Sequence, residues 1–306
     1  MAELFNKPNP NNSLAAIQAR AQTPFDIRTE LDILRQMSVE QIQEENASYN
    51  ILLLSDVGVG KTSLLKTAKM PVLVHSFDPG GSRLALLKPI INSGEYIYDD
   101  RYEKESLDAP HVYMDWEREF MRLKKGGAFE QIGTYVIDSF TTWMDGAKNE
   151  LGKRKAGGSV KDMRPKKGSW EGILEKQDWQ VLGQITIDMV KMCSALPCDF
   201  ILTGHLVLIE DEVSGRLMVR FKSIPSLQVN IPLLFDEIYV MEAKETPDGV
   251  TRSLITQNTG RYVARTRLGA GIFETRERAD LGYLRQKAFD AEKYKQQTQP
   301  NKEVAR

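Results

Sequence analysis

Ser55-Asp56-Val57-Gly58-Val59-Gly60-Lys61-Thr62 follows the apolar run Ile51-Leu52-Leu53-Leu54 and leads into a stretch of helical character from about Lys61. A short apolar run that ends in a Gly-rich turn reads as a buried strand, so the order is strand, glycine loop, helix. That is the context a phosphate-binding loop requires. Gly58 and Gly60 let backbone N–H groups converge on phosphate oxygens, and the helix start adds its dipole. Lys61 reaches the outer phosphates and Thr62 offers a hydroxyl to Mg²⁺. Ser55 stands where such loops usually carry their first glycine, and a small residue can occupy that turn. The expected nucleotide-binding set runs from Ser55 through Thr62 to Ser63; the competing reading is a Gly-rich connection with an incidental lysine.

Outward from the loop, further apolar runs at Val72-Leu73-Val74, Tyr135-Val136-Ile137 and Phe200-Ile201-Leu202 read as three more buried strands. Between them, helices are predicted through Trp116, Phe120 and Leu123 up to Lys124-Lys125-Gly126-Gly127, over 139–151 and over 175–196. Residues 90–113 read as irregular. Strands alternating with helices argue for an α/β fold with a mostly parallel sheet covered on both faces. The pattern then changes. Leu206-Val207-Leu208-Ile209 and Leu217-Met218-Val219-Arg220-Phe221 flank Ser214-Gly215 as a hairpin. Ile238–Met241, Arg252–Ile255 and Tyr262–Ala264 then read as antiparallel strands finishing the sheet.

These boundaries predict a helical leader over 1–47, a core over 48–270 with a basic insertion at 151–172, and a C-terminal helix and tail over 271–306. In the leader, Ser13 caps a short helix to about residue 22, and Ile27, Leu31, Leu34 and Met37 mark a second over 25–45. From Glu274 a helix is expected to about residue 294.

The second metal-binding element is Tyr135-Val136-Ile137-Asp138, which puts an acid at the end of a buried strand, where it can hold Mg²⁺ beside Thr62. The alternative for Asp138 is a helix N-cap. Guanine recognition calls for an Asn/Thr-Lys-x-Asp stretch, which the chain lacks. Asp78-Pro79-Gly80-Gly81 imitates a GTPase switch but follows Lys61 too closely. ATP is the expected nucleotide.

Composition is that of an ordinary soluble protein: 306 residues, 41% hydrophobic and 27% charged. Forty-one Lys and Arg meet 42 Asp and Glu, so no global basic excess points to nucleic acid. Locally the balance differs. Lys153, Arg154, Lys155, Lys161, Arg164, Lys166 and Lys167 face only Asp162 between residues 151 and 170, with Trp170 adjacent to stack on an unpaired base. A solvated loop is the alternative, with Trp170 anchoring the next helix. The hairpin and loop over 206–232, with Arg216, Arg220 and Lys222, is a second candidate DNA surface. Cys193 and Cys198 read as reduced core thiols, and no apolar stretch approaches a membrane span, so a cytoplasmic protein is expected.

Taken together, the motifs resemble the RecA core, and more narrowly the RecA-like ATPases of bacteriophages that support recombination by single-strand annealing. The resemblance covers residues 50–269 and rests on the phosphate loop, Phe77-Asp78-Pro79-Gly80-Gly81, Val136-Ile137-Asp138-Ser139, Thr203-Gly204-His205 and Arg265-Thr266-Arg267. It implies that Asp78 activates the attacking water, where relatives usually carry Glu. His205 would sense the terminal phosphate, and Arg265 and Arg267 would reach into a neighbouring subunit's ATP site, where the first of the pair is usually Lys. It implies single-stranded DNA as partner, a homo-oligomeric ring or filament, and a single-strand DNA-binding protein as a further candidate partner. A turn-forming Asp, a core His and exposed strand cations are the plainer alternatives. Two rivals stand beside annealing support: a hexameric helicase-like translocase, and a nucleotide-switched binding module with little turnover.

Overall fold

The computed structural model describes residues 31, 32, 35, 48–80, 85–106, 109–155, 174–210, 217–247, 249–268 and 271–290. The chain divides into two units, 1–47 and 48–306. Of the first, Leu31, Asp32 and Arg35 are helical; the helix expected over 13–22 lies outside the described residues.

The second unit is built on a nine-stranded sheet in the order β3-β2-β4-β5-β1-β7-β8-β9, with β6 paired to the far half of β5. The strands are β1 (Asn50–Ser55), β2 (Val72–Ser76), β3 (Tyr96–Asp99), β4 (Thr134–Asp138), β5 (Asp199–Glu210), β6 (Leu217–Phe221), β7 (Glu237–Thr246), β8 (Gly249–Ile255) and β9 (Arg276–Arg278). From β3 through β7 every pairing is parallel. Pairing turns antiparallel at β7–β8, at β8–β9 and in the β5–β6 hairpin.

Successive strand side chains point to opposite faces, and the central strands are apolar on both. Leu52, Leu54, Tyr135, Ile137, Phe200, Leu202, Ile238 and Val240 belong to one core cluster. The helices α3 (Val112–Lys125), α4 (Phe140–Lys155), α5 (Lys176–Ser194) and α6 (Pro225–Leu233) cover it through Trp116, Phe120, Trp143, Leu182, Met189, Leu227 and Ile231. Ile51, Leu53, Val136, Ile201, Tyr239 and Met241 form the second cluster, covered by Leu64, Leu65 and Leu87 and by α7 (Leu281–Phe289) through Leu281 and Leu284. The short helices α1 (Lys61–Leu64) and α2 (Lys88–Asn92) complete the α/β sandwich. Buried polar groups pair within it. Trp116 Nε1 donates to Tyr135 Oη at 3.0 Å, which also meets His75 Nδ1 at 2.9 Å. Burial holds the His75 imidazole well below its ordinary pKa, at about 4.

Several sequence expectations are corrected. The stretch read as irregular contains the end of α2 and the edge strand β3, where Tyr96-Ile97-Tyr98 is a short β-prone run set between Gly94-Glu95 and Asp99-Asp100, with one of the strand's four side chains buried. The fourth strand and the first arm of the hairpin are one continuous strand, β5. The loop expected up to Pro232 holds α6, a helix hidden by Pro225 in its first turn and Pro232 in its last. That helix is a crossover, so β7 returns parallel to β1, not antiparallel. Tyr262–Ala264 makes one isolated bridge, between Tyr262 and Val219. The expected C-terminal helix is shorter, because residues 276–278 add β9 to the sheet and Asp280 caps α7 by accepting from Tyr283 N at 2.9 Å. Finally, Lys153, Arg154 and Lys155 lie on α4, so any irregular basic segment begins after Lys155.

Candidate nucleotide site

In a parallel sheet the C-terminal strand ends gather on one side, and loops from several strands meet there. Ser55 at the end of β1 is opposite His205 on β5, and Ser76 at the end of β2 is opposite Asp138 at the end of β4. Asp78 lies two residues beyond β2. Sheet register therefore brings Ser55, His205, Asp138 and Asp78 to one edge, with the loop from Asp56 to Gly60 above them.

Within the loop, Gly58 and Gly60 both have positive φ, 78° and 112°, a conformation that costs other residues energy. Lys61 is buried, and its ammonium is folded back onto the loop. It donates to Ser55 Oγ at 3.0 Å and lies 3.5 Å from the Ser55 and Asp56 carbonyl oxygens. Burial lowers its pKa, against the pull of Asp138, Asp78 and Asp56. The helix expected from Lys61 is one α-helical turn continued by a 3₁₀ turn over Leu65–Thr67. The cis Met70-Pro71 bond lies just beyond. The dipole of so short a helix is correspondingly small, and the loop's own N–H groups carry the anion-binding capacity.

Asp138 is almost fully buried and both of its oxygens are held. Thr62 Oγ1 donates to Oδ2 at 2.7 Å and Thr203 Oγ1 to Oδ1 at 2.5 Å. Burial raises its pKa, with the Thr203 bond and the nearby Lys61 ammonium opposing. Among the described residues no group of three or more His, Cys, Asp or Glu could hold a metal by itself. Hydroxyl and carboxylate oxygens from Thr62 and Asp138 instead suit Mg²⁺, which takes one or two protein ligands and completes its shell with phosphate and water. The residues present therefore fit this ion in company with a polyphosphate.

Around Asp78 the sequence was silent about what holds the side chain. Ser139 Oγ and Thr142 Oγ1 both donate to Oδ1, at 2.8 and 2.6 Å. Oδ2 is 3.8 Å from His205 Nε2, whose other nitrogen is 3.3 Å from Thr141 Oγ1. The backbone is tied down as well, since Phe77 N and Asp78 N share the Asp138 carbonyl. Glu103 holds the neighbouring turn, accepting from Ser76 Oγ and Gly80 N, both at 2.9 Å. Burial lowers the His205 pKa, and Lys61 adds to the effect.

Arg265 and Arg267 lie away from this cluster. Arg265 Nη2 donates to the carbonyls of Pro232 and Phe235 at 2.8 and 2.7 Å, and Arg267 donates to Asp236 Oδ1 and Leu233 O at 3.0 and 2.8 Å. Both reach one place, the C-terminal end of α6, from a segment that lies outside the strands. Of the basic segment, Lys153 bonds the Pro110 carbonyl at 2.9 Å and Arg154 bonds Glu150 at 3.0 Å. Lys155 is placed by backbone only; Lys161, Arg164, Lys166, Lys167, Trp170 and Arg216 lie outside the described residues.

Sequence reasoning missed Thr203, Ser139, Thr142, Glu103 and Arg252, whose Nε donates to the Val59 carbonyl at 2.8 Å. Thr203 and Ser139 stood in the motifs Thr203-Gly204-His205 and Val136-Ile137-Asp138-Ser139 without a role. For the others no local signal exists, because their partners are distant in sequence.

A solved structure of a KaiC-like protein from the hyperthermophilic archaeon Pyrococcus horikoshii OT3 is similar over 72% of this chain and 83% of that one, at 13% identity and a TM-score of 0.35. No curated protein matches. No helix among the described residues is long and apolar enough to cross a membrane. A family model described as an AAA domain matches residues 47–268, the span that holds the loop, Asp138, Asp78 and His205. Because that match takes in most of the chain, the protein belongs to the AAA-domain family and is a P-loop ATPase.

Proposed function

We propose that the protein hydrolyses ATP with Mg²⁺ and acts on single-stranded DNA as a homo-oligomeric ring or filament, supporting recombination or replication of a bacteriophage genome. The observation that carries the nucleotide chemistry is the Thr62–Asp138 contact at 2.7 Å, a hydroxyl and a carboxylate converging at the mouth of a glycine loop. Mg²⁺, when bound there, neutralises charge on the phosphate oxygens. The chain supplies the rest. Lys61 leaves the Ser55 hydroxyl to cover the outer phosphates, the N–H groups of Gly58 to Thr62 line the cradle, and Asp78 Oδ2 accepts the proton of the attacking water. His205, beside Asp78, reads the terminal phosphate.

DNA coupling is supported by β5. It carries Thr203 and His205 at the site and continues without a break into the arm that pairs with Val219, Arg220 and Phe221. Lys222 N donates to the His205 carbonyl at 2.8 Å. A displacement at the phosphate end is thereby handed to the candidate DNA surface through one strand. The basic segment to Trp170 offers the phosphate contacts and base stacking suited to single strands read without sequence preference. Arg265 and Arg267 act across a subunit interface once released from α6.

A second reading, a nucleotide-switched binding module with little turnover, is favoured by the two hydroxyls that already occupy Asp78 Oδ1. ATPase assays with and without single-stranded DNA, with particle size followed in each state, separate the readings. DNA-stimulated turnover with assembly is expected. Tight ATP binding without phosphate release would favour the switch, and wild-type ATP affinity in Lys61→Ala would remove the loop from the site.

A further inference from the structure

We infer that Arg252, on β8 and 193 residues away in sequence from the residue it bonds, is a positioning residue that sets the phosphate cradle by locking one peptide group of the loop. The bonded atom is the Val59 carbonyl oxygen, 2.8 Å from Arg252 Nε. In a planar trans peptide the carbonyl of one residue and the N–H of the next point in opposite directions. Holding Val59 O outward, against β8, therefore aims Gly60 N–H inward, to the side where phosphate binds. Among the described residues that N–H has no acceptor.

The contact also accounts for the glycine. A Cβ on Gly60 would lie 3.1 Å from Arg252 Nε and 3.7 Å from Met241 Cε, on a backbone already at φ 112°. The arginine and the bare α-carbon are fitted to each other. Arg252 is exposed, and β8 is pinned to β7 by the Ala243–Arg252 pairing. The side chain thus reaches the loop from a fixed strand, and its removal opens no core cavity.

The inference rests on the P-loop assignment, and the test separates the two. Glutamine places an amide nitrogen at the position of the arginine Nε without the charge. ATP and inorganic tripolyphosphate are titrated calorimetrically into wild type, Arg252→Ala and Arg252→Gln, with melting temperature as the control for folding. Arg252→Ala should bind both ligands about five- to tenfold more weakly, the worth of one good hydrogen bond, and Arg252→Gln should regain most of that loss at an unchanged melting temperature. Wild-type affinity in Arg252→Ala overturns the inference. So does a glutamine variant as weak as the alanine one, which would make the guanidinium a direct phosphate ligand, or a loss confined to ATP, which would place it on the nucleoside. Failure of wild type itself to bind either ligand would instead strike the P-loop assignment and the inference with it.

Discussion

Ser55 Oγ accepts a hydrogen bond from the Lys61 ammonium at 3.0 Å, so the residue that departs from the usual loop pattern is a ligand of the loop's lysine. Ser55 is the last residue of β1, fully buried, with its hydroxyl proton given to the Asp56 carbonyl at 2.7 Å. It is extended and paired in the sheet, so the backbone there makes no demand for glycine. What the position requires is small size, and the hydroxyl adds a polar partner for a buried cation.

ATP must draw Lys61 away from that hydroxyl. Ser55→Ala removes a bond made in the free protein and leaves the loop backbone as it is. ATP affinity measured by calorimetry should rise about threefold to tenfold, one neutral hydrogen bond's net worth. Weaker binding would show that the hydroxyl serves the phosphate-bound arrangement instead.

Thr203 holds the oxygen of Asp138 that Thr62 does not. Thr203→Val keeps the shape and deletes the donor, so a carboxyl that burial already biases toward its protonated form loses part of what opposes that bias. The Mg²⁺ concentration needed for half-maximal hydrolysis should rise roughly tenfold, the usual scale for loss of a group orienting a metal ligand. The rise should be larger at pH 6 than at pH 8, since Asp138 must be ionised to bind the ion. An unchanged Mg²⁺ requirement at both pH values would exclude Thr203 from this role.

The parts of this molecule legible in its sequence are those with local causes. Ile51-Leu52-Leu53-Leu54 and Tyr135-Val136-Ile137 announce buried strands because both sheet faces are covered, and the loop reads directly because its chemistry is contiguous. The place of Tyr96–Asp99 at the sheet edge was not legible, since its Tyr96-Ile97-Tyr98 run resembles those of the buried strands although only one of its four side chains is buried. Nor was α6, whose prolines sit at the two ends where a helix tolerates or ends on them. The holders of Asp78 and the loop are set by register across the sheet, which brings Thr142 to Asp78 and Arg252 to Val59 over 64 and 193 residues.

Glu237 gives a pH dependence of stability. It is fully buried on β7, accepting from Thr266 Oγ1 at 3.0 Å and Arg267 N at 3.2 Å, and burial pushes its carboxyl up to about 7. Between the ordinary carboxylate range and pH 7 the folded state holds a proton that the unfolded chain has lost. Stability from this group is therefore full at low pH, falls as pH rises through that window and levels off above it. Glu237→Gln, permanently neutral, should lack the fall, so its stability relative to wild type in urea unfolding should improve by on the order of 3 kcal/mol between pH 4 and pH 8. A constant difference between the two proteins would show that the folded carboxyl titrates normally.

Arg265 and Arg267 share one helix end, and that makes their roles separable. Arg265 is partly buried and bridges two carbonyls at the close of α6, where a cation also meets the negative end of the helix. Arg265→Ala should destabilise the isolated protein by about 1.5–3 kcal/mol, the scale for hydrogen bonds to a charged group, whatever its part in catalysis. Arg267 is half exposed and its ion pair with Asp236 is a surface one, so Arg267→Ala should cost at most about 1 kcal/mol. Its bonds are the cheaper to exchange for a phosphate on a neighbouring subunit, and a finger of that kind is worth about a thousandfold or more in turnover. Arg267→Ala should therefore keep its melting temperature and its affinity for ATP while losing about that factor of DNA-stimulated hydrolysis under conditions where the protein assembles. Full hydrolysis by this variant would confine the arginine to holding α6 and leave the site to be completed within one chain.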